Sequence, residues 1–143
     1  FCPVWATTAQ TNGKPMKPHL NLVLAWLWMV LGFASGLVLG LGFHREDWLG
    51  GYGSFQRRLY RLAHISFFGL GATNLLFYLT ARALVLDPNL ARVASWGLAV
   101  GAVSMPICCV VLAHRPRWRM LFAVPVVSLI AAGSLTLWEV AKL

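Results

Sequence analysis

Four long apolar segments constrain this chain more than any other feature of its sequence. They cover about residues 19–43, 59–84, 90–113 and 120–140. A helix needs about 20 mostly apolar residues to cross the hydrocarbon core of a membrane, which is roughly 30 Å thick. Each segment reaches that length. The sequence therefore predicts an all-α integral membrane protein, with four transmembrane helices in an up-down bundle.

The composition agrees with a lipid-facing surface. Of the 143 residues, 59% are hydrophobic and 11% are charged, whereas a soluble domain carries about 25% charged residues. Residues 1–18 are different, because Pro3, Gly13, Pro15 and Pro18 oppose regular structure there. We therefore expect an irregular tail over residues 1–18, followed by one transmembrane domain over residues 19–143.

The formal net charge of +8 raises the question of which anion the chain meets. The basic residues lie beside the apolar segments, where lipid phosphates are the nearest anions, and the polar part is too small to form a domain of its own. We therefore predict phospholipid partners and no nucleic acid. The arginines expected at lipid headgroups are Arg57, Arg58, Arg61, Arg115, Arg117 and Arg119.

The distribution of lysine and arginine predicts an orientation. Seven of these residues lie in or beside the first loop (about residues 44–58) and the third loop (about residues 114–119), and five lie on the opposite side. Basic residues are enriched in cytoplasmic loops. Both loops are therefore expected in the cytoplasm and both termini on the non-cytoplasmic side of the inner (cytoplasmic) membrane, in a multi-pass arrangement.

The three cysteines do not predict a disulfide framework. Cys108 and Cys109 are adjacent within the third apolar segment and are expected to behave as small buried apolar side chains. Cys2 lies in the polar tail, where lipidation or processing of the N-terminus is an open alternative.

Glycines recur at four-residue intervals in two of the segments. Gly32, Gly36 and Gly40 form such a stripe in the first segment, and Gly97 and Gly101 form one in the third. Stripes of this kind let helices approach closely in a membrane. They are expected either within a compact bundle or where a subunit docks on a larger complex, and the spacing does not distinguish the two.

Two polar residues within the second segment are candidates for packing or binding. Asn74 lies deeper than any charged residue, so its amide is expected to bond another helix, a backbone carbonyl or a ligand. His64 follows Arg61 by one turn and, with His44 or His114, is a candidate axial ligand of a b-type haem or (bacterio)chlorophyll. A structural role for His64, bonded to a headgroup, a loop or a partner, is the favoured interpretation.

Three functions remain open at this stage. The sequence has no His-Glu-x-x-His, no paired Cys-x-x-Cys and no phosphate-binding glycine loop. We therefore predict a non-catalytic accessory subunit of a larger membrane complex, of the respiratory or photosynthetic electron-transfer kind, with other membrane subunits and bound lipids as partners. A tetrapyrrole-binding electron-transfer protein is the alternative, and a small transporter is third.

Overall fold

The computed structural model describes residues 19–142, which contain four long helices and no strand. All four helices, the last taken with the 3-10 turns before it, are long and apolar enough to span a membrane. The prediction of an all-helical chain with four such helices is confirmed. The predicted irregular tail and Cys2 lie outside the described residues. The helices are α1 (His19–Gly42), α2 (Phe55–Ala83), α3 (Pro88–His114) and α4 (Ala123–Ala141), with 3-10 segments at Trp48–Gly50 and Pro116–Phe122.

Polar caps set where two of the helices begin. The Ser54 hydroxyl accepts a hydrogen bond of 3.1 Å from the backbone N–H of Arg57, which satisfies one of the free donors of the first turn. The carboxylate of Asp87 accepts two such bonds at the start of α3, where Pro88 is the first residue. Both helices therefore begin before the apolar segments that they contain.

The core lies around the central pair α2 and α3. α1 packs against α2 and also contacts α3, whereas α4 packs mainly against α3. One apolar cluster joins Trp28 of α1 to Ala102 of α3. A second joins Phe77 of α2, Leu98 of α3 and Ala132 of α4. In its most apolar stretch α3 is 50% buried and α4 only 11%, so α4 is the peripheral helix.

Candidate functional site

His64 lies half-buried in the contact between α2 and α1. Its Nδ1 is 2.9 Å from the Ser35 hydroxyl of α1, and the Phe68 ring meets its imidazole edge to face at 5.4 Å. A Cβ placed on Gly36 would lie 2.9 Å from Cε1 of His64. The imidazole therefore occupies space that exists because residue 36 is a glycine.

The hydrogen bonds of Ser35 bear on the tautomer of this imidazole. The Ser35 hydroxyl also donates to the carbonyl of Gly32, at 2.9 Å. A serine has one hydroxyl hydrogen to donate. When Gly32 accepts that hydrogen, Nδ1 of His64 carries a hydrogen of its own and donates it to Ser35. The lone pair of the neutral ring is then on Nε2, which becomes an acceptor or ligand atom.

The other two candidate histidines have separate neighbours. His114, at the end of α3, is exposed and its Nε2 lies 2.9 Å from the hydroxyl of Tyr60 on α2. His44 is exposed in the loop between α1 and α2. Within residues 19–142, no group of three or more His, Cys, Asp or Glu side chains is placed to hold a metal ion.

Asn74 belongs to a buried polar network that joins three helices. Its side-chain oxygen accepts from the amide of Asn21 on α1 at 2.8 Å, and its own amide donates to the Leu70 carbonyl at 2.8 Å. Asn21 in turn accepts from the Ser95 hydroxyl of α3 and approaches the Ser95 carbonyl at 3.3 Å. Asn21 is 0% and Asn74 1% exposed, so this network is closed to solvent and lipid.

The sequence predicts a bonded role for Asn74, whereas Asn21 and Ser95 are not among the predicted residues. A signal for both was present, because each is a polar residue within two turns of a span's start. Polar side chains at matching depths in neighbouring spans are expected to bond each other, since few other partners exist there.

The glycines of α1 contact aromatic rings of α2. A Cβ on Gly32 would lie 2.8 Å from the tip of the Phe68 ring, as a Cβ on Gly36 would lie against His64. At Gly40, by contrast, no atom lies within 4 Å of the Cβ position. The stripe on α1 therefore makes room for rings at two of its three positions.

The glycines of α3 face α4. A Cβ on Gly97 would lie 2.9 Å from the Cβ of Ala132, and the Ser128 hydroxyl donates to the Gly97 carbonyl at 2.7 Å. Gly101 faces the side chain of Leu129. The two helices therefore come close at Gly97, where a hydrogen bond joins them.

Arg57, in the first turn of α2, is a buried cation surrounded by aromatic rings. The residue is 3% exposed. Its guanidinium carbon lies 5.1 Å from the ring centre of Phe43, 5.9 Å from that of Trp48 and 5.2 Å from that of Tyr52. Its Nε atom is buried and has no hydrogen-bond partner in the described part of the chain. Attraction between the cation and the ring faces stabilises this arrangement.

The α1–α2 loop (residues 43–54) adopts an unusual backbone to place these rings. Leu49, Gly50 and Gly51 have positive φ angles of 56°, 79° and 91°, a region that a leucine rarely adopts. The Ser54 hydroxyl donates to the Leu49 carbonyl. Trp48 packs over Gly42, where a Cβ would lie 2.6 Å from the indole ring. The positive φ angles of the loop, together with the absence of a Cβ at Gly42, allow Trp48 to lie close to Arg57.

Arg61 lies beside Arg57 on the same side of α2. Its guanidinium carbon is 4.7 Å from the ring centre of Tyr52, and it donates to the Tyr52 carbonyl at 3.2 Å. The one ion pair within residues 19–142 joins Lys142 and Glu139, so neither arginine has a carboxylate partner there. The remaining predicted headgroup residues are exposed: Arg58, Arg115, Arg117 and Arg119.

No protein-family model, curated protein or solved structure matches this chain. The functions proposed below therefore rest on the contacts described above.

Proposed function

We propose that this chain is a non-catalytic accessory subunit of a larger membrane complex, docked through a groove along α3. In this proposal the four helices cross the membrane in alternating directions, and both termini lie on the non-cytoplasmic side. Small basic subunits without a soluble domain are common in energy-transducing assemblies, and a respiratory or photosynthetic complex is the proposed parent by that analogy. Arginines of the first and third loops contact phospholipid headgroups in the same arrangement.

The groove along α3 is the observation that supports docking. It has a volume of about 470 Å³ and lies between α1 and α4. A second groove of about 400 Å³ continues it towards α2, and the two share Val103 and Ile107. These two side chains are 40% and 53% exposed. The α3 surface therefore offers a long apolar depression, flanked on both sides by other helices.

A partner helix fits such a depression for a physical reason. Helices in lipid associate mainly by close packing, because lipid tails are as apolar as the side chains. A ridge of side chains on a partner helix would contact α1, α3 and α4 together. α4 has exposed surface for this contact, because only Pro125 and Ala132 of that helix are buried.

Site-specific photo-cross-linking in native membranes tests this proposal. A photoreactive amino acid at Val103 probes the groove, and one at Ile65 is the matched control, because Ile65 is 63% exposed on α2 outside the groove. We expect Val103 to cross-link to one defined membrane protein, and Ile65 to cross-link to lipid. Cross-links from Val103 to lipid alone, together with a monomer after mild detergent extraction, would contradict the proposal.

A second candidate function is supported by the contact of His64 with Ser35, which engages Nδ1 of the imidazole. Because Ser35 engages Nδ1, Nε2 is the atom that would ligate a b-type haem or (bacterio)chlorophyll, which would supply electron transfer. His114 is bonded to Tyr60 and His44 is exposed in the loop between α1 and α2, so this proposal takes the second axial ligand from another chain. A Soret band that disappears in His64→Ala and persists in His44→Ala would favour this function. A colourless protein after native purification would eliminate it.

A further inference from the structure

We infer that the N-terminal end of α2 forms a discrete site for the phosphate group of an anionic phospholipid, with Arg57 and Arg61 as its ligands. The inference is independent of the accessory role, because a lipid can bind there whether or not the chain has protein partners. Of the six arginines predicted to contact headgroups, two lie together at this end of α2.

The charge at this end of α2 is the first reason. A helix N-terminus carries about half a positive charge, which favours acidic side chains in the first turn. The first turn of α2 has no acidic residue. It has Arg57 and Arg58 instead, and Arg61 follows one turn later. Glu46 and Asp47 stand in the preceding loop, but neither forms an ion pair with these arginines. This end of the helix therefore lacks an anion.

The burial of Arg57 is the second, independent reason. A charged group removed from water is costly unless it is paired and hydrogen-bonded. Arg57 is 3% exposed, and its Nε has no partner among residues 19–142. Three aromatic rings surround the guanidinium, but a ring accepts an N–H more weakly than an anion does. Because Nε itself is enclosed, an external acceptor would bond the terminal amino groups of the guanidinium.

Arg57 and Arg61 both lie against the ring of Tyr52. They are one helical turn apart, so they share a face of α2. Their guanidinium carbons lie 5.2 and 4.7 Å from the centre of the same Tyr52 ring. The planar donor fork of arginine matches phosphate oxygens in a bidentate manner. In the inferred site, these two forks beside one ring hold a single phosphate group.

The position along the helix identifies the source of the phosphate. α2 begins a candidate membrane span here, and the aromatic side chains of Tyr52 and Phe55 are 69% and 48% exposed. Exposed aromatic rings at the end of a span mark the membrane–water boundary. The abundant anions at that level are the phosphates of lipids. A free phosphate has the same chemistry, so the experiment must separate the two sources.

Thermal unfolding of the full chain in a nonionic detergent tests the inference. The protein is titrated with phosphatidylglycerol, with phosphatidylcholine and with inorganic phosphate at equal concentrations. Ligand that binds the folded state alone raises the unfolding midpoint in a saturable manner. We expect phosphatidylglycerol to do so, and we expect the other two to leave the midpoint unchanged.

Two variants with the same change of charge locate the site. Arg61→Gln removes a fork beside Tyr52, and we expect it to weaken phosphatidylglycerol binding by about tenfold or more. Arg58→Gln is the matched control, because Arg58 is exposed on α2, and less than about threefold weakening is expected from its loss of charge. Both variants keep Arg57 and its ring contacts. Because Arg61→Gln also removes the bond to the Tyr52 carbonyl, each variant is compared by the phosphatidylglycerol concentration that half-saturates its own midpoint shift.

Three results would overturn the inference. Equal weakening in Arg61→Gln and Arg58→Gln would mean that lipid responds to diffuse positive charge. An equal midpoint shift with inorganic phosphate would mean that the site takes a soluble anion. A shift with phosphatidylcholine equal to that with phosphatidylglycerol would mean that the lipid's negative charge is not recognised.

Discussion

The buried amide pair of Asn21 and Asn74 should stabilise the contact between α1 and α2 by a measurable coupling energy. The perturbation is a double-mutant cycle made of Asn21→Ala, Asn74→Ala and the combined variant. Asn74→Ala removes the bond of 2.8 Å from Asn21 and the bond to the Leu70 carbonyl. Asn21→Ala also removes the acceptor of the Ser95 hydroxyl. Asn21→Ala should therefore be the more destabilising single change.

The magnitude follows from the burial and from the setting of the bond. Hydrogen bonds between membrane helices contribute about 0.6 kcal/mol on average, and the strongest about 1.7 kcal/mol. Asn21 and Asn74 are 0% and 1% exposed, so neither lipid nor water replaces a lost partner. We therefore expect a coupling near the upper end, about 1–1.7 kcal/mol. Each single variant should lose more, because truncation also leaves a void.

The assay is reversible unfolding of the detergent-solubilised protein by increasing the SDS fraction, followed by tryptophan fluorescence. A second cycle pairs Asn21→Ala with Thr73→Ala as the control. Thr73 is exposed, neighbours Asn74 in sequence and donates to Gly69 within its own helix. Independent sites couple by less than about 0.5 kcal/mol. A coupling that small for Asn21 and Asn74 would refute the reasoning.

Two further predictions concern glycines, and the same unfolding assay checks both. Gly36→Ala should destabilise the fold by about 1–2 kcal/mol, because its Cβ would displace the imidazole of His64. Gly40→Ala is the control, because no atom lies near its Cβ position, and it should be neutral or slightly stabilising. Equal losses of unfolding free energy in the two variants would contradict this account. Gly97→Ala should cost about 1–3 kcal/mol by separating α3 from α4. Gly133→Ala on α4 has open space around its Cβ position, and a loss as large as that of Gly97→Ala would show that the helix contact is not the cause.

The four helices could be predicted from the sequence because a membrane span imposes one simple requirement, about 20 apolar residues without a break. Helix ends follow a different rule. Ser54 and Asp87 cap α2 and α3, because their side chains accept hydrogen bonds from free backbone N–H groups of the first turn. Such caps extend a helix into polar sequence. The length of an apolar segment therefore does not predict where the helix begins.

The contacts of the sites were harder to predict, because they depend on how each helix is rotated about its axis. A glycine every fourth residue indicates a smooth face but not what covers it. On α1 that face contacts the rings of Phe68 and His64. This contact can be predicted only when the rotation of α2 about its axis is known. The environment of Arg57 depends on a left-handed Leu49, a backbone state that residue type does not favour.

From the same distribution of contacts we predict that α4, and not α1, shifts if a partner helix docks in the groove. α1 is attached along its length by polar bonds to α2 and α3. The first of these bonds belong to the Asn21 network. Further along α1, the indole of Trp28 donates to the Ala102 carbonyl at 3.0 Å, and Ser35 bonds His64.

α4 has fewer such attachments, which are the Ser128 bond to Gly97 and the Glu139 bond to the backbone N–H of Asp87. Opening of a segment costs less when fewer buried contacts hold it. Of the two walls of the groove along α3, we therefore expect α4 to be displaced more easily than α1. A partner helix that enters the groove would widen it on the α4 side, while the α1–α2–α3 unit keeps its packing.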